Sequence, residues 1–171
     1  MGITFYEPAG IPENEKERER AVQASGILRL SGDPIILALT VEARRQFMTA
    51  QAAVSVVYQD SHFLIAADGL LAGPYSRKTS LGGHVIHQPR RLFWISDARI
   101  DPRFSNNPAV EDHAVAFYAA APLINAEAFA LGAFFIFDPK PRGEPSEGDK
   151  LRLFNFAQRA MERVEEAKRR S

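Results

Sequence analysis

Residues 114–137, AVAFYAAAPLINAEAFALGAFFIF, decide how this chain is read: 24 almost wholly apolar positions in a row. A membrane helix is the first reading of such a run. Pro122, Asn125 and Glu127 interrupt it near the middle, and each half is too short to cross a bilayer as a helix. Two buried strands, over 115–124 and 129–137, joined by a turn, fit better. Strands this apolar on both faces belong at the centre of a sheet that is covered on both sides.

Just upstream, Leu92-Phe93-Trp94-Ile95 reads as a short strand ended by Ser96-Asp97. The polar segment 97–113, with Pro102 and Pro108, reads as a long excursion holding at most helical turns. Earlier still, the β-branched run 53–58 and the run 62–67 flank Gln59-Asp60-Ser61, which predicts a hairpin. Residues 70–80 read as a loop, and 81–88 as a short helix. Two helices come first. Asn14 with Glu17 three residues on is a start signal, and Gly26 is a stop. Asp33-Pro34 opens a second helix over 34–48, with Ile36, Leu39, Ala43 and Phe47 on one face. Downstream of the apolar run, Ser146 with Asp149 predicts a capping box for a last helix, whose apolar line is read as Leu151, Phe154, Met161 and Val164. The class is α+β, an antiparallel sheet covered by helices. Residues 1–12 form an irregular lead-in and 13–171 a single domain.

Composition narrows the function classes. The 171 residues carry 21 basic and 21 acidic side chains, a formal charge of zero. That balance argues against a basic face for nucleic acid. There is no cysteine, which removes disulfides, thiolate metal sites and thiol catalysis together. Met1 to Pro8 lacks the basic start and apolar run of a signal peptide, and Tyr6 stands where a myristoylation signal wants Ser or Thr.

Several stretches together carry a family resemblance: Glu17 to Val22 leading to Gly26-Ile27-Leu28, the Ala-Val-Ser-Val-Val strand at 53–57, and Thr79-Ser80-Leu81-Gly82-Gly83-His84-Val85-Ile86. The most specific is Ser96-Asp97-Ala98-Arg99-Ile100-Asp101-Pro102-Arg103-Phe104-Ser105-Asn106-Asn107-Pro108. Phe117 to Leu123, Leu131-Gly132, Phe137-Asp138 and Pro141-Arg142 complete it. Over about residues 15–165 the chain resembles GAF domains of the type found in bacterial and fungal sensor histidine kinases and diguanylate cyclases. The resemblance implies a PAS-like fold with a central antiparallel sheet of five or six strands. It implies terminal helices on one face, often forming a dimer, and a loop-rich ligand-pocket cover on the other. Fold likeness does not name a ligand. The departures are specific. The family's usual cysteine positions are Gly82 and Phe135 here, which excludes the thiol chemistry of GAF-type free methionine sulfoxide reductases and bilin attachment within the domain. The Asn-Lys-Phe-Asp-Glu run linked to cyclic-nucleotide binding is missing.

Candidate ligand contacts are weighed against plainer roles. His84 and His87, three apart, invite a metal reading, but further ligands are wanting, and a polar histidine near the pocket is the plainer one. Arg103 offers a planar fork for an anion; alternatively Asp97 ends a strand, Asp101 caps the turn begun by Pro102, and Arg103 pairs with one of them. Of the aromatics, Trp94, Phe104 and Tyr118 are pocket candidates, although strand aromatics are commonly core. Alternation puts Phe117 and Tyr118 on opposite faces, and the Tyr118 hydroxyl needs a partner when buried. Arg77, Lys78, Thr79 and Ser80 offer a phosphate site at the start of the short helix.

The expected function is therefore a cytoplasmic small-molecule-sensing or regulatory module in signal transduction, not an enzyme, coupling pocket occupancy to its terminal helices. The alternative is a ligand-free dimerisation or protein-interaction module on the same fold. The expected partners are an unidentified small-molecule ligand, a second copy of the chain through the terminal helices, and a sensor-kinase or cyclase output domain, with neither nucleic acid nor membrane. No metal site is expected, and the sequence names no cofactor.

Overall fold

The structure, a computed structural model, describes residues 6–171. The part of the irregular lead-in over residues 1–5, and the reading that no signal peptide is evident there, lie outside the described residues. Helix α1 (Glu15–Ser25) ends where Gly26 adopts φ 73°, a left-handed turn that glycine takes without strain, and Ile27 is then buried in a short 3₁₀ turn. Asn14 does not cap α1 with its side chain. Its backbone, at φ −94° and ψ 26°, lacks the extended conformation that a cap needs. Asp33 does cap α2 (Pro34–Phe47), accepting from the backbone N–H of Ile35 and Ile36. The buried stripe of α2 is Ile36, Leu39, Thr40, Ala43 and Phe47.

Strands β1 (Gln51–Tyr58) and β2 (Ser61–Asp68) form the hairpin, with Gln59 at φ 53° in its two-residue turn. A strand appears inside the 70–80 segment: β3 (Gly73–Ser76) pairs with β2 from Ser61↔Ser76 to Leu64↔Gly73. An edge strand needs only backbone geometry, and Pro74 is tolerated there because no further ladder is built on it. Helix α3 (Gly82–Val85) is a single turn, shorter than the sequence suggested. Then come β4 (Phe93–Ile95), α4 (Pro108–Glu111), β5 (Phe117–Ile124), β6 (Ala130–Asp138) and α5 (Glu147–Arg170). The sheet has six strands in the order β3-β2-β1-β6-β5-β4, with every neighbouring pair antiparallel. The two apolar halves of 114–137 thus supply β5 and β6, and both are buried along nearly their whole length.

Alternation gives the sheet two dry faces. Val54, Val56, Phe117, Leu123, Phe134 and Ile136 face α1, α2 and α5. Phe134 stacks on Phe156 of α5 at 5.3 Å between centroids. The seam of α5 is Leu153, Phe156, Ala157, Ala160, Met161 and Val164. That corrects the predicted line in its first half: Leu151 is 70% exposed and Phe154 37% exposed. Successive steps of three, one, three, one and three make the true seam a continuous helical stripe, which 151 and 154 miss in phase. The Ser146–Asp149 capping box is formed. Ion pairs Arg163–Asp33 and Arg159–Glu42 tie α5 to α2. Arg142 donates to the carbonyls of Phe47 and Met48, taking groups that the end of α2 leaves unpaired. No helix among the described residues is long and apolar enough to cross a membrane.

Candidate functional site

The second face of the sheet carries Ala53, Leu64, Tyr118, Ala120, Ala133, Phe135 and Phe137, roofed by the segment from β3 through α4. Between floor and roof lies a cavity of about 170 Å³. His62, Tyr118, Phe135 and Phe137 form its floor, with Leu64 beside them. Leu70, Tyr75, Ser76, Thr79, Ser80, Leu81, Gly82, Ala109 and Val115 complete the lining. No Asp, Glu, Lys or Arg is among these residues.

Two polar atoms on the floor are buried without a hydrogen-bond partner in the protein: Nε2 of His62 and the hydroxyl of Tyr118. Their rings flank the Phe135 ring, at 5.8 and 5.4 Å between centroids, both nearly parallel to it. Burial pushes the His62 imidazole down to about 4, so the ring is neutral at neutral pH. Burial likewise pushes the Tyr118 phenol above its usual range, so it keeps its proton. The site is electrically neutral, with two buried, unpartnered groups able to donate or accept. Leaving such groups unpaired costs about 1–3 kcal/mol each, so they are a standing demand for a partner.

Gly82 makes room for the His62 ring beside it. A Cβ built there would lie 2.2 Å from His62 Nε2. Gly82 and Phe135, the two positions where the family resemblance expects cysteines, both border this histidine.

The residues read from sequence divide between this cavity and its surroundings. Ser80 and Tyr118 line it. Ser80 Oγ also accepts the Gly83 N–H at 2.8 Å, which holds the first turn of α3. Phe104 is fully buried on the same face but outside the cavity, edge-on to His84 at 5.0 Å. His84 and His87 each set Nε2 against a carbonyl of the lead-in, Glu7 and Gly10 respectively, pinning that segment to the roof. Trp94 is on the opposite, helix-facing side: its ring meets Phe117 at 4.9 Å and its Nε1 donates to the Gly143 carbonyl. Strand alternation decides this, since Phe93 takes the cavity face.

Asp97 and Asp101 serve local structure. Asp97 receives the Arg99 guanidinium at 2.7 and 2.8 Å, and Asp101 receives Arg103 at 2.8 and 3.1 Å. Each aspartate also accepts the backbone N–H two residues on. The side-chain bonds from these arginines hold both carboxyls below the usual carboxylate range. Arg103 further lies over the Phe104 ring at 4.9 Å. Its fork is therefore occupied within the loop, and it does not reach the cavity.

Sequence reasoning missed His62. Its signal was its phase: two residues before Leu64 on an apolar strand, it shares that residue's face. Arg77, read as part of a phosphate site, is used otherwise. Its guanidinium donates to Glu15 at 2.5 Å and to the Gln59 carbonyl at 2.9 Å. Arg18 holds the same carboxylate from the other side at 2.8 Å. Burial pushes Glu15 upward, but the two guanidinium groups win and hold its carboxyl at about 2. Arg77 sits between the cavity-lining Ser76 and Thr79, so this clasp joins the cavity roof to the first turn of α1.

A wider groove of about 550 Å³ runs along α2 and α5. Its Arg159, Arg163 and Arg170 side chains are already paired with Glu42, Asp33 and Glu166, and it offers no unpartnered group comparable to His62 and Tyr118.

No protein-family model matches the chain. Over 154 residues it is 32% identical to a Pseudomonas aeruginosa protein named cyclic di-GMP phosphodiesterase; the aligned part is 90% of this chain and 26% of that protein. The chain thus spans about a quarter of the length of this relative. Among solved structures it is similar to the GAF domain of an Acinetobacter phosphoenolpyruvate-protein phosphotransferase, with a TM-score of 0.63 and 12% identity, covering 92% of this chain and 96% of that one. It is also similar to the free methionine-R-sulfoxide reductase of Neisseria meningitidis, with a TM-score of 0.63 and 13% identity, covering 99% and 100%. These findings overturn the expectation that the chain is not an enzyme. A relative bears an enzyme's name, and the same architecture serves as an enzyme in the reductase.

Proposed function

We propose, for a chain that has the GAF fold, a regulatory role in signalling. In this reading the cavity above β5 and β6 takes a small molecule. Its occupancy biases the position of the roof, and α1 reports that bias. The observation that carries the reading is the clasp: Arg77 lies between two cavity-lining residues and bonds Glu15 in the first turn of α1. A ligand that binds one arrangement of the roof better than another shifts the equilibrium between them by that difference in affinity. The contact residues in this reading are Tyr118 and Ser80, together with His62.

From the relative's name we infer that the output is cyclic di-GMP hydrolysis by a domain joined to this one. A chimera tests it. The aligned segment of the Pseudomonas phosphodiesterase is replaced by this chain, and cyclic di-GMP hydrolysis is measured. Arg77→Gln in the chimera should change kcat or KM severalfold without loss of folded protein. Equal kinetics for the two chimeras would contradict coupling through the clasp.

A second reading, association of two copies through the terminal helices, is favoured by apolar side chains left exposed on α2 and α5: Ile35, Leu37, Leu151 and Phe154. Native mass spectrometry gives the assembly mass directly, and Phe154→Lys should lower it to that of a monomer.

A further inference from the structure

Resting on the sensing reading above, we propose that the cavity selects an uncharged molecule of single-ring size that bears one hydroxyl or carbonyl oxygen. Tyr118 takes that oxygen. Size is the first argument. A cavity of about 150 Å³ holds benzene, and this one is about 170 Å³, well below the roughly 300 Å³ at which drug-sized pockets begin. A nucleotide or a linear tetrapyrrole is larger than this space.

Charge is the second argument. The lining has no carboxylate, lysine or arginine, and its His62 and Tyr118 are neutral at pH 7. Of the two cations next to the lining in sequence, Arg77 turns away to Glu15 and Lys78 is exposed. An anionic or cationic ligand buried here would lose its hydration and find no counter-charge, which is strongly unfavourable.

Hydrogen bonding is the third. The Tyr118 hydroxyl and His62 Nε2 both lack protein partners, and they stand on either side of the Phe135 ring. A ligand ring lying over Phe135 and the leucine walls would bring its oxygen to the Tyr118 hydroxyl, which donates to a carbonyl and either donates to or accepts from a hydroxyl. Gly82 leaves room for the His62 ring beside it.

The test is a titration of the 171-residue chain, followed by backbone amide NMR shifts, with four probes: phenol, benzene, benzoate and cyclic GMP. Phenol should shift amides of β2, α3, β5 and β6. Benzoate, the same ring with a charge, should bind at least about tenfold more weakly. Tyr118→Phe, which removes a single oxygen, should weaken phenol by about three- to tenfold, while benzene binding changes less than about twofold. If benzoate or cyclic GMP binds as tightly as phenol, or phenol is indifferent to Tyr118→Phe, the proposed ligand class is overturned and the sensing reading stands. If no probe, benzene included, moves an amide, both are overturned.

Discussion

His62 places a titratable ring on the floor of an apolar cavity, and its burial has a consequence for stability. The ring is held at about 4, against an ordinary value of 6.5. Between those values the unfolded chain takes up a proton that the folded chain refuses. Stability present above about pH 6.5 is therefore lost as pH falls toward 4, by up to about 1.4 kcal/mol per pH unit. Denaturant midpoints across this window measure the slope. His62→Phe should flatten it, and an unchanged slope would place the proton elsewhere. Gly82 makes a companion case. Gly82→Ala drives a methyl into His62 and should cost about 1–3 kcal/mol by overpacking. Gly143→Ala, where nothing lies within 4 Å of the new atom, should stay within about 0.5 kcal/mol. Thermal denaturation of the pair separates contact from backbone effects. Tyr118 was legible from strand alternation alone. His62 was hidden because a histidine in an apolar strand announces nothing until the roof above it is known.

Among the elements, α1 and the β3–α3 roof meet through a carboxylate shared by two guanidinium groups. Glu15 is held at about 2 against an ordinary 4.5. The sign follows: the pairing stabilises fully above about pH 4.5 and is lost as pH falls through about 2. This window is distinct from that of His62, so acid unfolding should proceed in two pH regimes, and Glu15→Gln should shrink only the lower one, which Asp33, Glu42, Asp97 and Asp101 share. Breaking a buried pair by removing one partner costs about 3–5 kcal/mol, and urea denaturation of Glu15→Gln at pH 7 should find a loss of that size. Helix α5 gives a simpler contrast. Phe156, stacked on Phe134, should cost about 3–5 kcal/mol when cut to alanine. The exposed Phe154 should cost less than about 1 kcal/mol. Equal losses would mean the seam is wrongly phased. The caps of α2 and α5 were plain in the sequence because a cap is written in neighbouring residues. The seam of α5 was misphased at its first half, because an amphipathic stripe next to exposed apolar residues has two readings until a sheet chooses one.

At the scale of the whole molecule, two dry layers lie on one sheet but differ in construction. The helix-facing layer is closed by long elements, and the other by a roof of short turns between residues 70 and 113. Hydrogen exchange should reflect this, slowest in β1, β6 and β5 and faster through the roof, where few backbone bonds belong to long elements. Exchange monitored by mass spectrometry checks it, and uniform protection across both layers would contradict a mobile roof. The sequence by itself determined the α+β class, the hairpin, the central pair of apolar strands, the helix starts at Asp33 and Ser146 and the stop at Gly26. Each of these is set by residues within a turn or two of one another. Only the tertiary structure decided that β3 exists at the sheet edge, that Trp94 faces the helices, that Arg77 reaches Glu15 rather than a phosphate, and that His62 and Tyr118 share a cavity. Those outcomes depend on which groups distant in the chain are brought together and buried, and no local pattern encodes the free energy of that choice.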